Sequence, residues 1–391
     1  MKVALVAVSS NTQLSGITRH AANLARCLLL HTAIEEIHLI VAPWEQQMLR
    51  SAIACEHPRL QMHSVFVDRA SLARNLWFYT ELPLVVDQLG ADVVHLSYPA
   101  PLNRRRVRCP AVVTIHDLYP HDVPENWGYP KVIFNRMILR QCVSAADALA
   151  CVSDATLERV QHRFPEAIAG KAYRIYNSVE PARVRSCRGP LPTLQHAPFL
   201  LCVAQHRRNK NISLAVSAFQ RLLRQGALPP ETLLVVVGMP GPETSALQHS
   251  AEQAGVCNNV LFLSGISEAE LQWCYRNCDV LVAPSLIEGF GLPVAEGLLA
   301  GCRVVCSDIP AFRELAGDHC RYFQLGSGEE DAFAAQIVAA IAEKRPQPIA
   351  LPQLAPGCIA REYLALYEKL ARQHESRTTA LQPVPSVLAQ R

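Results

Sequence analysis

No stretch of this 391-residue chain approaches the length of apolar residues that crosses a bilayer as a helix, which excludes a helical membrane span within it. Charge is scarce as well. Only 18% of residues are charged against 50% hydrophobic, which excludes a disordered chain and requires large cores. The formal net charge of +3 is too small for a nucleic-acid binder. Fourteen cysteines are present, yet no CxxC pair occurs among them, which excludes a paired-knuckle zinc site. A full GxGxxG fingerprint is missing after the first strand-like run, where Gly16 stands alone in LSGITRHAANLA.

What is there reads as a two-domain globular protein. Residues 1–185 carry 20 Lys+Arg against 16 Asp+Glu, and the remainder 17 against 18, so the first half is the one suited to an anionic surface or acceptor. Cys27, Cys151, Cys202, Cys274, Cys278, Cys302 and Cys306 lie inside apolar segments, where cysteine behaves as a small hydrophobe. MKVALVAVSS reads as a strand rather than a signal peptide. These features favour a reducing cytoplasm, with no metal and no cofactor.

Strand-like runs alternate with helical patterns: 3–8, 36–42, 91–96, 111–116, 148–153 and 172–177. A proline-rich linker over 181–198 follows, then 198–205, 232–238, 259–265, 279–284 and 303–308. The alternation predicts an α/β protein of two Rossmann-like, doubly wound parallel-sheet domains facing a cleft, over 1–185 and 186–357. An amphipathic helix over 358–373 places Ala360, Tyr363, Leu364, Tyr367 and Leu370 on one face, and the polar tail 374–391 is expected to fray.

The segment Pro284–Gly301, PSLIEGFGLPVAEGLLAG, carries the strongest signal. A strand leads into the glycine turn of Gly289, Phe290 and Gly291. Leu292 and Pro293 open a helix, and Gly301 reads as its stop. The amides of such a turn, at the positive end of a helix dipole, form an anion site. Glu288 and Glu296 flank it, eight residues apart, placed to accept hydrogen bonds from hydroxyls on either side of a phosphate. A nucleotide-sugar has that layout.

Other pieces fall at predicted carboxyl edges of the sheets, where ligands of doubly wound folds bind. Lys210, with Arg207 and Arg208, follows the first strand of the second domain, and Asn211 is placed to cap the next helix. His116 ends the run AVVTIH of the first domain, next to Asp117, either as a structural residue or facing the cleft. Asn177 lies in RIYNSVEP, where it either caps a turn or faces the cleft. The loop NRRRVR (103–108) is either solvated or a contact for an acidic lipid or phosphorylated acceptor.

These motifs, in this order, resemble the family-4 retaining glycosyltransferases (glycosyl transferases group 1) of the GT-B fold. SGITRHAANLA, VVTIHDLYP, IYNSVEP, NKNI, the two-glutamate block, SDIPAFRELAGD and AREYLALYEKL carry the resemblance over nearly the whole chain. It implies that Glu296 binds the nucleotide ribose, while Glu288 and the amides of Gly289, Phe290, Gly291 and Leu292 hold the donor sugar and diphosphate. Lys210 would neutralise the leaving phosphate, His116 would contact the sugar, and the backbone at Ile266 and Ser267 would meet the base. Gly16 and its neighbours would approach the phosphates. No metal is expected, in keeping with the lack of an Asp-x-Asp motif. Three departures stand out: Ser15–Gly16 replaces two glycines, Ala204–Gln205 replaces glycine–arginine, and GLLAG follows Glu296 instead of AMAxG. At Gln205 a phosphate-binding arginine is therefore missing, and Arg207 or Arg208 is the nearest substitute.

The resemblance implies transfer of a hexose from a nucleotide diphosphate sugar to a hydroxyl acceptor with retention, and closure about the linker that excludes water. GDP-mannose is the preferred donor, ahead of UDP-linked glucose, galactose or N-acetylglucosamine. The acceptor is expected to be a glycan or lipid-linked glycan of bacterial polysaccharide synthesis, met near WGYPKVIFNRMILR (127–140), with peripheral contact at the inner face of the membrane. The alternatives are a nucleotide-sugar epimerase of the same fold and an inactive glycan-binding scaffold.

Overall fold

The computed structural model describes residues 1–13, 15–126, 128–180 and 188–380. The first domain holds a seven-stranded sheet: β1 (Lys2–Val6), β2 (Glu36–Val41), β3 (Leu60–Ser64), β4 (Val93–Leu96), β5 (Ala111–Ile115), β6 (Ala148–Cys151) and β7 (Ala172–Arg174). The second holds six strands: β8 (Phe199–Val203), β9 (Leu233–Val237), β10 (Val260–Leu263), β11 (Val280–Ala283), β12 (Val304–Ser307) and β13 (Arg321–Phe323). All pairings are parallel. The orders are β3-β2-β1-β4-β5-β6-β7 and β10-β9-β8-β11-β12-β13. Both reverse direction beside their first strand, so each domain has a switch point, between β1 and β4 and between β8 and β11.

The central strands are apolar on both faces because helices cover both. Val93–Leu96 and Ala111–Ile115 are buried throughout. Two strands escape the sequence pattern. β3, LQMHS, is a half-exposed edge strand without a clean alternation, and β13, RYF, is only three residues long.

The linker expected over 181–198 has two parts. Residues 181–187 lie outside the described residues. From Arg188 on, the chain packs onto the second domain: Leu194 is buried, and Gly189 lies so close to Trp273 that a Cβ would come within 2.7 Å of the indole.

The chain crosses back after the short turn Pro352–Leu354 into the helix Pro356–Ala380. Ile359, Ala360, Tyr363, Leu366, Tyr367 and Leu370 of that helix are buried in the core of the first domain, against the helix Gly16–Leu28. A buried aromatic ring removes about 150–250 Å² from water, worth several kcal/mol at ~25 cal/mol per Å². Tyr363 and Tyr367 therefore hold the helix in place. The helix continues past His374, where fraying was expected, to Ala380, and 381–391 lie outside the described residues. The outgoing and returning segments are tied together, since Val179 N donates to Leu354 O at 3.0 Å.

Candidate active site

The loops after β8 and β11 carry the second domain's share. Arg208–Lys210 forms a single 3-10 turn after β8, which aims Lys210 back across the sheet edge. Asn211 stands at the cap position of the next helix in a left-handed conformation, φ 50°, and its side chain makes no cap bond. The sequence-based capping role is thus corrected: the turn geometry, and not the amide, starts that helix.

Lys210 Nζ donates to both carboxylate oxygens of Glu288, at 2.7 Å each. Ser285 Oγ donates to Glu288 Oε1 at 2.7 Å, and Tyr119 OH of the first domain lies 3.4 Å from Oε2. With only 8% of its surface exposed, Glu288 would leave buried polar atoms unpaired without these partners.

Gly291 takes φ 101°, and a Cβ there would come within 2.8 Å of the Phe312 ring, so glycine is required before Leu292 starts the helix. Phe290 is buried against Tyr176. Gly289 has a different reason. A Cβ on it would sit 1.7 Å from His116 O, which lies on the other domain. Gly289 O in turn accepts from Ser153 Oγ and, at 3.0 Å, Thr156 Oγ1, and Glu288 O accepts from Arg159 Nη2 at 2.9 Å. Glu314 Oε1 and Oε2 cap the first turn of the helix Asp154–Arg163 through Asp154 N (2.7 Å) and Ala155 N (3.0 Å). The glycine turn is therefore clamped by the first domain.

Glu296 lies in the middle of the helix Leu292–Leu299. Its Oε2 accepts from Tyr275 OH at 2.7 Å and its Oε1 from Arg19 Nη1 at 3.2 Å. Burial raises its pKa, and Arg19 opposes that shift.

From the first domain, His116 follows β5 directly. Its Nε2–H donates to Ser97 O at 2.8 Å, leaving Nδ1 as an acceptor. Burial lowers its pKa to about 4, so the ring is neutral at physiological pH and has no proton to give beyond the one held by Ser97. His20 packs edge-on against it at 4.8 Å between ring centres. A buried chain of polar groups runs behind this pair. Asn177 Oδ1 meets His20 Nδ1 at 2.8 Å, His20 Nε2 meets Thr114 Oγ1 at 3.2 Å, and Thr114 Oγ1 meets His95 Nε2 at 2.7 Å. His95 Nδ1 ends the chain at Tyr367 OH. Asn177 is thus a support for His20 rather than a turn cap. Burial lowers the pKa of His20 well below its usual value and that of His95 to about 3. Next to His116, burial raises the Asp117 carboxyl to about 6, and its Oδ1 accepts from Tyr119 N at 3.0 Å.

The remaining predicted residues fall as follows. Gly16 opens the first helix with nothing within 4 Å of where a Cβ would stand, and Ser15 caps that helix. Gln205 Oε1 accepts from Arg207 Nε at 2.8 Å, so the two act as a pair at the edge of β8. Ile266 is half-buried, and Ser267 N donates to Glu270 Oε2 at 2.7 Å within a capping box, so its N–H is already used. Arg19, Tyr119, Ser153, Thr156, Arg159 and Tyr275 escape sequence reasoning. Only Tyr119 and Ser153 have a local signal, Tyr119 falling just after a predicted strand and Ser153 at the end of one.

Among the described residues, no group of three or more His, Cys, Asp or Glu is arranged to hold a metal ion, and the cysteines named above are free and buried. No helix among them is long and apolar enough to cross a membrane.

Two family profiles divide the chain: "Glycosyltransferase Family 4" matches residues 14–183 and "Glycosyl transferases group 1" matches 188–349. The chain is 28% identical to the serotype-specific mannosyltransferase WbdA of Escherichia coli over 254 residues, 61% of this chain and 31% of that one. It is 25% identical to the O-antigen chain mannosyltransferase B of Escherichia coli over 252 residues, 61% of this chain and 63% of that one. The matches therefore span less than two thirds of either relative. In fold it is similar to sucrose-phosphate synthase from Thermosynechococcus elongatus, with a TM-score of 0.67 at 17% identity, covering 97% of this chain and 99% of that one. It is also similar to WaaG, a glycosyltransferase involved in lipopolysaccharide biosynthesis, with a TM-score of 0.65 at 17% identity, covering 95% and 99%. Anabaena HepE, solved with UDP and glucose, has a TM-score of 0.62 at 17% identity over 98% of this chain and 100% of that one. With two facing parallel-sheet domains and a profile match on each, the chain belongs to the family-4 glycosyltransferases of the GT-B fold.

Proposed function

We propose that the protein transfers a hexose from a nucleotide diphosphate sugar to a hydroxyl of a glycan or lipid-linked glycan, with retention. The observation that carries this reading is the Lys210–Glu288 pair at one sheet edge, held against the His116 backbone of the other. Glu288 and the amides from Gly289 to Leu292 would hold sugar and diphosphate. Glu296 would bind the ribose, and the Lys210 ammonium would keep one donor for the leaving phosphate. His116 would accept a sugar hydroxyl at Nδ1.

His116 Nδ1 would be taken by a sugar hydroxyl and Glu288 is occupied by Lys210 and Ser285, so the leaving diphosphate itself would serve as the base. The acceptor oxygen would bond to the anomeric carbon as the bond to the diphosphate breaks, and the diphosphate oxygen would take the acceptor proton. Mannose from GDP-mannose is the preferred donor, supported by two relatives named as mannosyltransferases.

The acceptor side is supported by exposed apolar residues on two helices of the first domain. Leu72, Leu76 and Tyr79 of the helix Ser71–Thr80, and Ile133, Phe134 and Met137 of the helix Lys131–Ala145, are exposed. The two helices share a buried core and meet the same loop, through Asn103 Nδ2 to Tyr79 O and Gln141 Nε2 to Leu102 O. Exposed Arg105, Arg106, Arg108, Lys131 and Arg140 accompany them, a composition suited to peripheral contact with an anionic lipid surface. Trp127, part of the expected acceptor segment, lies outside the described residues.

The test is turnover against a panel of GDP- and UDP-sugars with an acceptor mixture. Product from none of them, together with no nucleotide binding in calorimetry, overturns the reading.

A further inference from the structure

Arg19 sits in the first turn of the helix Gly16–Leu28, which has no acidic residue there. A cation at the positive end of a helix dipole is unfavourable unless something outside the helix offsets it. The offset comes from the other domain. One guanidinium spans two of its carboxylates, Nη1 at 3.2 Å from Glu296 Oε1 and Nη2 at 3.1 Å from Glu268 Oε2. The planar fork of arginine makes such a two-point contact, which a lysine ammonium does not reproduce.

The groups facing Glu296 are few. Arg19 reaches it from the first domain, Tyr275 from the helix Glu268–Asn277, and Glu268 acts as a like charge from the start of that helix. The carboxylate is 10% exposed. An ionised carboxylate has about four acceptor positions, two on each oxygen. Arg19 uses one on Oε1 and Tyr275 one on Oε2, which leaves one on each oxygen. That remainder matches the two hydroxyls of a ribose diol.

We propose that Arg19 is a positioning residue for donor binding, supplied by the first domain to hold Glu296 as an aimed double acceptor for the ribose of a nucleoside diphosphate. The proposal rests on the reading of Glu296 as the ribose carboxylate. It makes the ribose site a property of both domains together. Without Arg19, Glu296 keeps one donor, faces the Glu268 charge and takes up a proton more readily. A protonated carboxyl then loses acceptor capacity. The loss is greatest at low pH, a dependence that a purely structural role would not produce.

The experiment compares wild type, Arg19→Met, Arg19→Lys and Glu296→Ala by calorimetry with GDP and UDP between pH 5.5 and 8, alongside donor KM and kcat. Arg19→Met is expected to weaken binding of the preferred nucleotide about tenfold at pH 6 and under threefold at pH 8 (a tenfold change corresponding to ~1.4 kcal/mol). Donor KM should rise with it while kcat at saturation holds within threefold, and Arg19→Lys should recover part of the affinity at low pH. Affinity and pH dependence unchanged in Arg19→Met, with Glu296→Ala weakened, overturns the positioning role and leaves the ribose reading intact. A loss equal at every pH also overturns it, because Arg19 would then act by direct contact or by packing. Unchanged binding in Glu296→Ala overturns the ribose reading itself.

Discussion

Lys210 and Glu288 stand 78 residues apart in the chain, yet the ammonium lies 2.7 Å from both oxygens of the carboxylate. Two loops on neighbouring strands of the second sheet bring them together, and the pair is largely hidden from water. Each residue therefore supplies the other's main hydrogen-bonding partner.

Lys210→Met tests that pairing. Removing one member of a buried pair leaves the other uncompensated, at a cost of roughly 3 kcal/mol. Loss of the leaving-group cation should lower kcat by about 10²–10³-fold. Thermal melting and steady-state turnover should both fall. Turnover within fivefold of wild type would remove the leaving-group role.

Gly289→Ala probes the contact between domains. A methyl 1.7 Å from His116 O has no room, so the cleft has to open or the turn has to shift. Displacements near 1 Å cost about 100-fold in rate. The expected outcome is a loss of turnover of at least that size, with a larger radius of gyration in solution scattering and each domain still folded. An unchanged kcat would show that the approach of His116 to Gly289 is not needed for the reaction.

Acid should unfold the first domain through its buried imidazoles. His95 titrates at about 3 and His116 at about 4 in the folded protein, against about 6.5 when unfolded. Both folded values are depressed, so the unfolded chain binds more protons across this window. Stability is complete above pH 6.5 and falls as pH drops toward 4. Each such group contributes about 2 kcal/mol of loss between pH 7 and pH 5. Urea unfolding at the two pH values measures it, and His95→Gln should flatten the slope by one group's share. A pH-independent midpoint over this range would contradict the burial of these rings.

The apolar helices of the first domain give a prediction about the acceptor. Ile133→Asp with Met137→Asp places charge on the exposed face without touching the cleft. Binding to vesicles containing anionic lipid should fall about tenfold, and turnover on a lipid-linked acceptor with it. Turnover on a soluble acceptor should hold. Equal vesicle binding by the variant and the wild type would remove the membrane role of this face.

The pieces legible in the sequence are those in which chemistry and local geometry share one short segment. Glu288, the glycine turn, Glu296 and Gly301 share one short segment, and within the turn Gly291 demands glycine by its own backbone, at φ 101°. The alternation of apolar runs carries the two sheets because central parallel strands are buried on both faces. Edge strands β3 and β13 lack that pattern. Arg19 has no local signature, since its carboxylate partner Glu296 is 277 positions away. Arg159 reaches Glu288 O across 129 positions. The reason for Gly289 also lies on another domain. Sequence marks it as a turn glycine, but the obstacle to a side chain is the His116 carbonyl.

The bond from Val179 N to Leu354 O carries a mechanical consequence. Two strands of chain pass between the domains side by side, fastened to each other, much as two screws share one door leaf. Sliding one segment past the other would break that pairing, so the two crossings are expected to move together. A pair of spectroscopic labels across the cleft, compared with and without nucleotide, would read any such movement as a change in one distance.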